Sequence, residues 1–213
     1  MFHAQIKVHS LSTCQKEYLN KIAFSDLKIF DFILSNLPGG TNLHLGNSTP
    51  VRYSQLFGSD ERFNYSSNRG VSGIDGQIST AAGSTYVSKN LNVLITGDLG
   101  FFYDSNGLMN NYLKPNLKII IINNLGGGIF RFIEGPSSTD HLEEFFEARH
   151  NWKAEKIAQA FNVEYYKAED LEQLDSTFTD FLDNKDGPSI LEIFTPPEEN
   201  AEILKEYFNY LKS

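Results

Sequence analysis

The sequence predicts an α/β fold: a doubly wound, mostly parallel sheet with helices on both faces. Two patterns carry that expectation. Short strand-forming runs alternate with longer runs of helical periodicity along most of the 213 residues, the order produced when each strand is followed by a crossover helix. Two of the strand runs, LNVLIT at 91–96 and LKIIII at 117–122, lack alternation of apolar and polar residues. Central strands covered on both faces read this way.

Taken in order, residues 1–24 show mixed polarity and weak periodicity and read as a leader, or the tail of a connection from an upstream domain. The domain itself is expected over 25–213. Ser25 or Asp26 can cap a first helix whose apolar residues Leu27, Phe30, Phe32, Ile33, Leu34 and Leu37 form one stripe, ended by Pro38-Gly39-Gly40. Strands are expected at 43–45, 63–66, 91–96, 117–122, 163–166 and 190–194. The helices between and after them are expected at 50–57, 74–88, 105–113, 152–161, 168–184 and 198–211. In the last of these, Ile203, Leu204, Tyr207, Phe208 and Leu211 read as a core stripe rather than a partner face.

Composition narrows the class of function. A net charge of -9, with no run among the 18 Lys and Arg, argues against a nucleic-acid partner, which needs clustered cations. The single cysteine, Cys14, makes no internal disulfide and is compatible with a reducing cytoplasm. The longest aliphatic run, Ile119 to Ile122, is too short to span a bilayer, and the N-terminus lacks the apolar core of a signal peptide. No membrane insertion is expected, and the cytoplasm is the expected location.

The chemistry gathers at strand ends. The run at 91–96 ends in Gly97-Asp98, and the run at 117–122 ends in Asn123-Asn124. A crossover between parallel strands puts both ends on the carboxyl edge of the sheet, where ligands bind in open α/β folds. The Asp98 carboxylate, the Asn124 amide oxygen and a carbonyl of the turn Leu125-Gly126-Gly127-Gly128 make an incomplete oxygen set, which magnesium completes with phosphate and water. The glycines let a diphosphate approach the backbone, and Ile129-Phe130 add apolar surface. Aspartate and asparagine beside glycine are also ordinary turn chemistry; the joint pattern favours the site.

Two further loops join it. Asn47-Ser48-Thr49-Pro50-Val51-Arg52 turns into a helix with Pro50 near its first position, and Ser67-Asn68-Arg69-Gly70-Val71-Ser72-Gly73-Ile74-Asp75-Gly76 sets three glycines around an arginine. Arg52 and Arg69 can clasp carboxylates; a lone arginine is more often a surface ion-pair partner, and it is their place in glycine-rich loops at the active edge that raises the carboxylate reading. There is no GxGxxG after a strand and no GxxxxGK[ST] loop, which disfavours a noncatalytic nucleotide-binding module. The five scattered histidines suggest no metal cluster, and His141 and His150 are assigned no role.

The spacing from Gly97-Asp98 to Asn123-Asn124 resembles the thiamine-diphosphate motif. That resemblance implies Asp98, Asn124 and the carbonyl of Gly126 as ligands of Mg2+ (or Mn2+), with Leu99 standing where the motif usually has glycine. NSTPVR, SNRGVSGIDG, GDLGFFYDSNGL and INNLGGGIFRF together resemble the last domain of the 2-succinyl-5-enolpyruvyl-6-hydroxy-3-cyclohexene-1-carboxylate synthases, over roughly 25–213. The resemblance implies that 2-oxoglutarate is decarboxylated on thiamine diphosphate and that the succinyl carbanion adds to isochorismate, in menaquinone biosynthesis. It implies that Arg52 and Arg69 hold substrate carboxylates, with Ser48 and Asn47 beside the reacting centre. Ile74 matches the aliphatic wedge under the cofactor, and Ile129, Phe130 and Ile133 match its apolar wall. Gly73, Gly97, Leu99 and Gly127 fall within the motifs that surround the cofactor. In this family the glutamate that activates the cofactor comes from the pyrimidine domain, usually of another subunit. A homo-oligomer is therefore implied, and this chain alone is expected to show negligible turnover. Another thiamine-diphosphate carboligase or decarboxylase is the rival within the same fold.

Overall fold

The computed structural model describes residues 13–131, 135 and 138–212. Its elements come in the order α1 (Asp26–Asn36), β1 (Asn42–Leu45), α2 (Thr49–Leu56), β2 (Asn64–Ser66), α3 (Gln77–Val87), β3 (Asn92–Gly97), α4 (Asp98–Tyr103), β4 (Leu117–Asn123), α5 (Glu155–Ala160), β5 (Glu164–Ala168), α6 (Leu171–Asp183), β6 (Ser189–Phe194) and α7 (Pro197–Tyr210). Residues 13–19 are also helical. The six strands form one sheet in the order β2-β1-β3-β4-β6-β5, and every pairing is parallel.

The uninterrupted apolar runs sit where their composition requires. β3 and β4 are central, and along each strand successive residues enter opposite cores. Val93, Ile95, Ile120 and Ile122 pack in the cluster with Phe30 and Ile33 of α1, Phe178 and Phe181 of α6 and Tyr207 of α7. Leu94, Ile119 and Ile121 pack in the other, with Ile78 of α3, Phe101 of α4 and Ala158 of α5. A polar residue on either face would be buried without water, and each fully buried aliphatic chain contributes about 1.5–3 kcal/mol. The fold is thus the doubly wound α/β sheet that the alternation predicts.

Local signals set most boundaries. Ser25 caps α1, its hydroxyl accepting from Lys28 N at 3.4 Å. Pro50 lies in the first turn of α2. Two expectations need correction. The helix placed at 74–88 begins only at Gln77, because Gly76 holds a left-handed φ of 71° that no helical residue adopts; Ile74 therefore stands in the loop. The helix placed at 105–113 is not there: α4 starts at Asp98 itself, and only a 3-10 turn, Ser105–Leu108, comes after it. Buried Phe101 draws the chain into a helix immediately after β3, and the turn beyond is closed locally by Asn110, which bonds Gly107 O and Tyr112 N.

Residues of the expected leader from Thr13 onward pack on this framework. Tyr18 and Leu19 belong to the α1-side core. Tyr18 donates to Ile203 O at 2.9 Å, Lys28 Nζ to Leu19 O at 2.6 Å and Gln15 Nε2 to Leu56 O at 3.0 Å. Among the described residues no helix is long and apolar enough to cross a membrane.

At the amino end of β4, opposite the carboxyl edge, Lys118 is 1% exposed, its ammonium donating to Asn184 O at 2.7 Å and Ser189 Oγ at 2.9 Å. Burial pushes its pKa down to about 8, against a weaker pull upward from Asp183. Between about 8 and 10.5 the folded lysine has lost a proton that the unfolded chain still holds, so its contribution to stability rises with pH in that window. Denaturant unfolding of wild type and Lys118→Met across this range is expected to give a difference that moves in favour of wild type as pH increases. Parallel profiles would show that Lys118 titrates normally.

Candidate functional site

The topology fixes where a ligand can enter. The chain leaves β1 for β2 on one side and β3 for β4 on the other, so the loops after β1 and β3 diverge and leave a crevice at the carboxyl edge. Those loops begin Gly46-Asn47-Ser48 and Gly97-Asp98, and β4 delivers Asn124 to Gly128 beside them. A cavity of about 150 Å3 lies there. The β1 loop lines it with Asn47, Ser48, Thr49 and Pro50, the β3 end with Gly97, Asp98, Leu99 and Gly100, and the β4 end with Asn124, Gly126, Gly127, Gly128, Ile129 and Phe130. Ile74 completes the lining, and among the described residues Asp98 is the only charged one to reach it.

Asp98 is held firmly. Its Oδ1 accepts from Leu99 N at 2.6 Å and its Oδ2 from Gly126 N at 2.9 Å, so the carboxylate joins the start of α4 to the glycine turn. Its side chain is 2% exposed. His150 Nε2 faces the same Oδ2 at 3.4 Å without completing a hydrogen bond. Trp152 N donates to His150 Nδ1 at 3.1 Å, which leaves the proton of the neutral ring on Nε2. The imidazole stacks on Trp152 at 4.8 Å, with Phe102 edge-on to both rings.

Asn124, buried beside it, donates from Nδ2 to Asp26 Oδ2 at 3.0 Å. Asp26, at the start of α1, is 1% exposed. Burial pushes its carboxyl up to about 6, opposed by donors from Thr195, Asn124 and Asn200 and reinforced by the charge of Asp98.

The glycine turn is clamped from outside. Leu125 adopts φ 65° and Gly126 φ 148°. Gly127 N donates to Glu147 O at 2.6 Å and His150 N to Leu125 O at 3.2 Å. The buried Glu147 carboxylate is held between Arg131 and Arg149, with Arg131 Nη2 at 2.8 Å and Arg149 Nε at 3.0 Å from its Oε2. Arg149 continues to Glu198 in the first turn of α7 at 2.6 Å.

Close packing also shapes the β1 side. A Cβ on Gly46 would overlap Gln77 Oε1 and come within 3.0 Å of Ile95 O. Gln77 in turn accepts from Thr96 Oγ1 at 2.6 Å. Ser48 holds φ 78°, a left-handed value unusual for a residue with a side chain and costing about 1–3 kcal/mol. Asn47 Nδ2 donates to Asn68 O at 2.8 Å and to Gly73 O, and its Oδ1 accepts from Arg69 Nη1 at 3.2 Å.

Of the residues singled out in the sequence, Asn47, Ser48, Ile74, Gly97, Asp98, Leu99, Asn124, Gly126, Gly127, Ile129 and Phe130 therefore share one cavity. Gly73 adjoins it through Asn47, and Ile133 lies outside the described residues. The two arginines do not line it. Arg69 is exposed on its loop, and Arg52, also exposed, donates to Ser48 O at 2.8 Å. Arg52 borders a neighbouring cleft of about 270 Å3 that shares Thr49 and Ile129 with the first. No sequence motif points to Asp26, Gln77 or Glu147 as parts of the site, and His150, assigned no role from its position in the chain, stands against Asp98. A larger groove of about 540 Å3 between α3 and the 3-10 turn is lined by Tyr86, Met109 and Tyr112 among others, with no charge among the described residues that line it.

Comparison with known proteins decides the family. The family model described as "Thiamine pyrophosphate enzyme, C-terminal TPP binding domain" matches residues 46–193. The chain belongs to this family. Thiamine pyrophosphate is the same molecule as thiamine diphosphate. Proteins named 2-succinyl-5-enolpyruvyl-6-hydroxy-3-cyclohexene-1-carboxylate synthase are similar to the chain in Christiangramia forsetii (46% identical over 93% of this chain and 34% of the relative), Flavobacterium johnsoniae (45%, over 92% and 36%) and Porphyromonas gingivalis (42%, over 92% and 34%). The chain thus spans about one third of the length of these relatives.

The cavity suits the diphosphate end of such a cofactor on one condition. The charge that lines it is the Asp98 carboxylate, which repels an anion unless a cation lies between them, and the oxygens of Asp98, Asn124 and Gly126 are of the hard kind that Mg2+ takes. Among the described residues no cluster of three His, Cys, Asp or Glu offers another metal site. Gly126 is the test of this cradle: a Cβ there would lie 2.6 Å from Glu147 O, on a backbone of positive φ. Gly126→Ala is expected to weaken thiamine-diphosphate binding by the protein at least about fivefold, since strain of about 1–3 kcal/mol falls on the turn itself. Calorimetric titration checks this, and unchanged affinity would remove the turn from the site.

Proposed function

We propose that the full-length protein is a thiamine-diphosphate- and Mg2+-dependent synthase of the cytoplasm, which decarboxylates 2-oxoglutarate and joins the succinyl unit to isochorismate for menaquinone biosynthesis. The observation that carries the proposal is the meeting of Asp98, Asn124 and Gly126 in one cavity whose other walls come from the family motifs. The similarity to synthases of that name over nine tenths of the chain supports the substrates.

On this reading Asp98, Asn124 Oδ1 and Gly126 O would hold the cation, Mg2+ or Mn2+, whose charge would offset that of the diphosphate. When bound, thiamine diphosphate supplies an electron sink for the pair left as a 2-oxo acid loses CO2. Ile74, Ile129 and Phe130 exclude water around the reacting atoms, and a low-dielectric wall favours loss of a carboxylate charge. Ser48 and Asn47 stand beside the reacting centre, Ser48 fixed by its left-handed backbone. Both substrates are dicarboxylates, which suits the planar forks of Arg52 and Arg69. Arg69 is tied to the cavity through Asn47, and Arg52 through Ser48 O. The activating glutamate belongs, on this reading, to the pyrimidine domain of a partner subunit in a homo-oligomer, so this chain alone is assigned no turnover.

The full-length protein is expected to release CO2 from 2-oxoglutarate and to consume isochorismate with it, and faster turnover of pyruvate would point to a different carboligase. Asp98→Ala is expected to abolish Mg2+-dependent cofactor binding in calorimetry, since it removes the single anionic ligand; retained affinity would overturn the metal assignment. Arg69→Ala is expected to raise KM for a substrate about tenfold or more, the worth of one charge-assisted hydrogen bond, with cofactor affinity kept. The reverse pattern would assign Arg69 to the cofactor.

A further inference from the structure

Asp26 lies outside every motif of the site and outside the matched residues 46–193, yet its carboxylate touches Asn124. The contact bears on which end of the Asn124 amide meets the cavity. A carboxamide has one donor end and one acceptor end, and an ionised carboxylate only accepts. Asn124 therefore turns Nδ2 onto Asp26 Oδ2, at 3.0 Å. The flipped amide would set two acceptor oxygens against each other in a buried place, losing the bond and adding repulsion. Oδ1 is the end left for the cavity, and only an oxygen can ligate a hard cation.

The carboxylate that enforces this is itself fixed. Asp26 Oδ1 accepts from Thr195 Oγ1 at 2.7 Å and Asn200 Nδ2 at 3.0 Å, while Asp26 N donates to Asn200 Oδ1 at 2.8 Å. Thr195 comes directly after β6, and Asn200 lies in the first turns of α7. One buried residue of α1 thus links the ends of β4 and β6 with α7, and every bond its carboxylate accepts leaves it less free to release Asn124.

We propose that Asp26 is a positioning residue of the cation site: by binding the amine end of Asn124, it presents the carbonyl end to the metal. The inference rests on the cation site of the proposed function. It gives a result that a purely structural role does not. Asp26→Asn keeps shape, and its new oxygen can still accept from Thr195 and Asn200, but it offers Asn124 an amine. Asn124 then turns its own oxygen onto residue 26 and its amine to the cavity. Asp26→Ala removes the enforcing group and leaves a void, damaging the fold more and the amide orientation less.

The test uses the full-length protein with thiamine diphosphate and Mn2+ as the probe, free Mn2+ being read by electron paramagnetic resonance and stability by thermal unfolding without ligands. Asp26→Asn is expected to raise the Mn2+ dissociation constant about 10–100-fold, the usual effect of losing an outer-shell partner, while melting closer to wild type than Asp26→Ala does. A rise below about fivefold would overturn the proposal. Should Asp26→Asn fail to fold, Thr195→Val decides, because it loosens the carboxylate without removing it: weaker Mn2+ binding supports the role and unchanged binding refutes it. Asp98→Ala, measured alongside, separates the two readings. If it retains Mn2+ affinity, the cation site itself is misplaced; if it loses affinity while Asp26→Asn does not, the site stands and the positioning role falls.

Discussion

The constraint on which the site depends is a single buried carboxylate. Asp98 sits at the junction of β3 and α4 with its side chain almost wholly out of water, and among the described residues it is the only charge lining its cavity. A charge so placed must be met by donors or by a cation. Backbone N–H groups of Leu99 and Gly126 meet part of it. The Gly126 bond has a structural consequence, because it draws the glycine turn after β4 against the end of β3 and so makes one cradle from two strand ends.

Around that junction stand groups that do not line the cavity. Glu147 between Arg131 and Arg149 fixes the segment whose carbonyl receives Gly127 N. His150 and Trp152 stack behind Asp98. Asp26 stands behind Asn124. Buried polar groups of this kind define geometry only when their partners are complete, and here most of them are: the Asp26 carboxylate accepts three hydrogen bonds, and Glu192 behind Asn123 takes donors from Asn123, Ala154 N and Tyr165. The site is braced by hydrogen bonds from distant parts of the chain, α1 and α7 included.

Much of this is legible from residues alone. The apolar runs of β3 and β4 announce central strands, because burial on both faces favours apolar residues, and polar exceptions such as Thr96 and Lys118 are each hydrogen-bonded. The spacing of Asp98 and Asn124 implies a shared edge, because parallel neighbours end on the same side. The helix expected at 105–113 is absent because local periodicity carries no trace of the pull of Phe101 into the core, which winds the chain into a helix seven residues sooner than 105, at Asp98. The start of α3 is displaced because Gly76 acts as a left-handed stop, a property of its backbone angle that its place among three loop glycines does not reveal.

What the sequence by itself determined is therefore the sheet, its two central strands and the cluster of motifs at its carboxyl edge, all of which arise from local composition and from the fixed direction of parallel strands. Only the tertiary structure decided which groups stand behind those motifs. Asp26 and Asn124 are separated by 98 positions, and Arg149 and Glu198 by 49. A hydrogen bond between side chains so distant leaves no periodicity, since it depends on where helices dock rather than on the identity of neighbouring residues in the chain. The arginines show the same limit: their type suggests carboxylate binding, but it took the packed loops to set Arg69 on Asn47 and Arg52 on the neighbouring cleft.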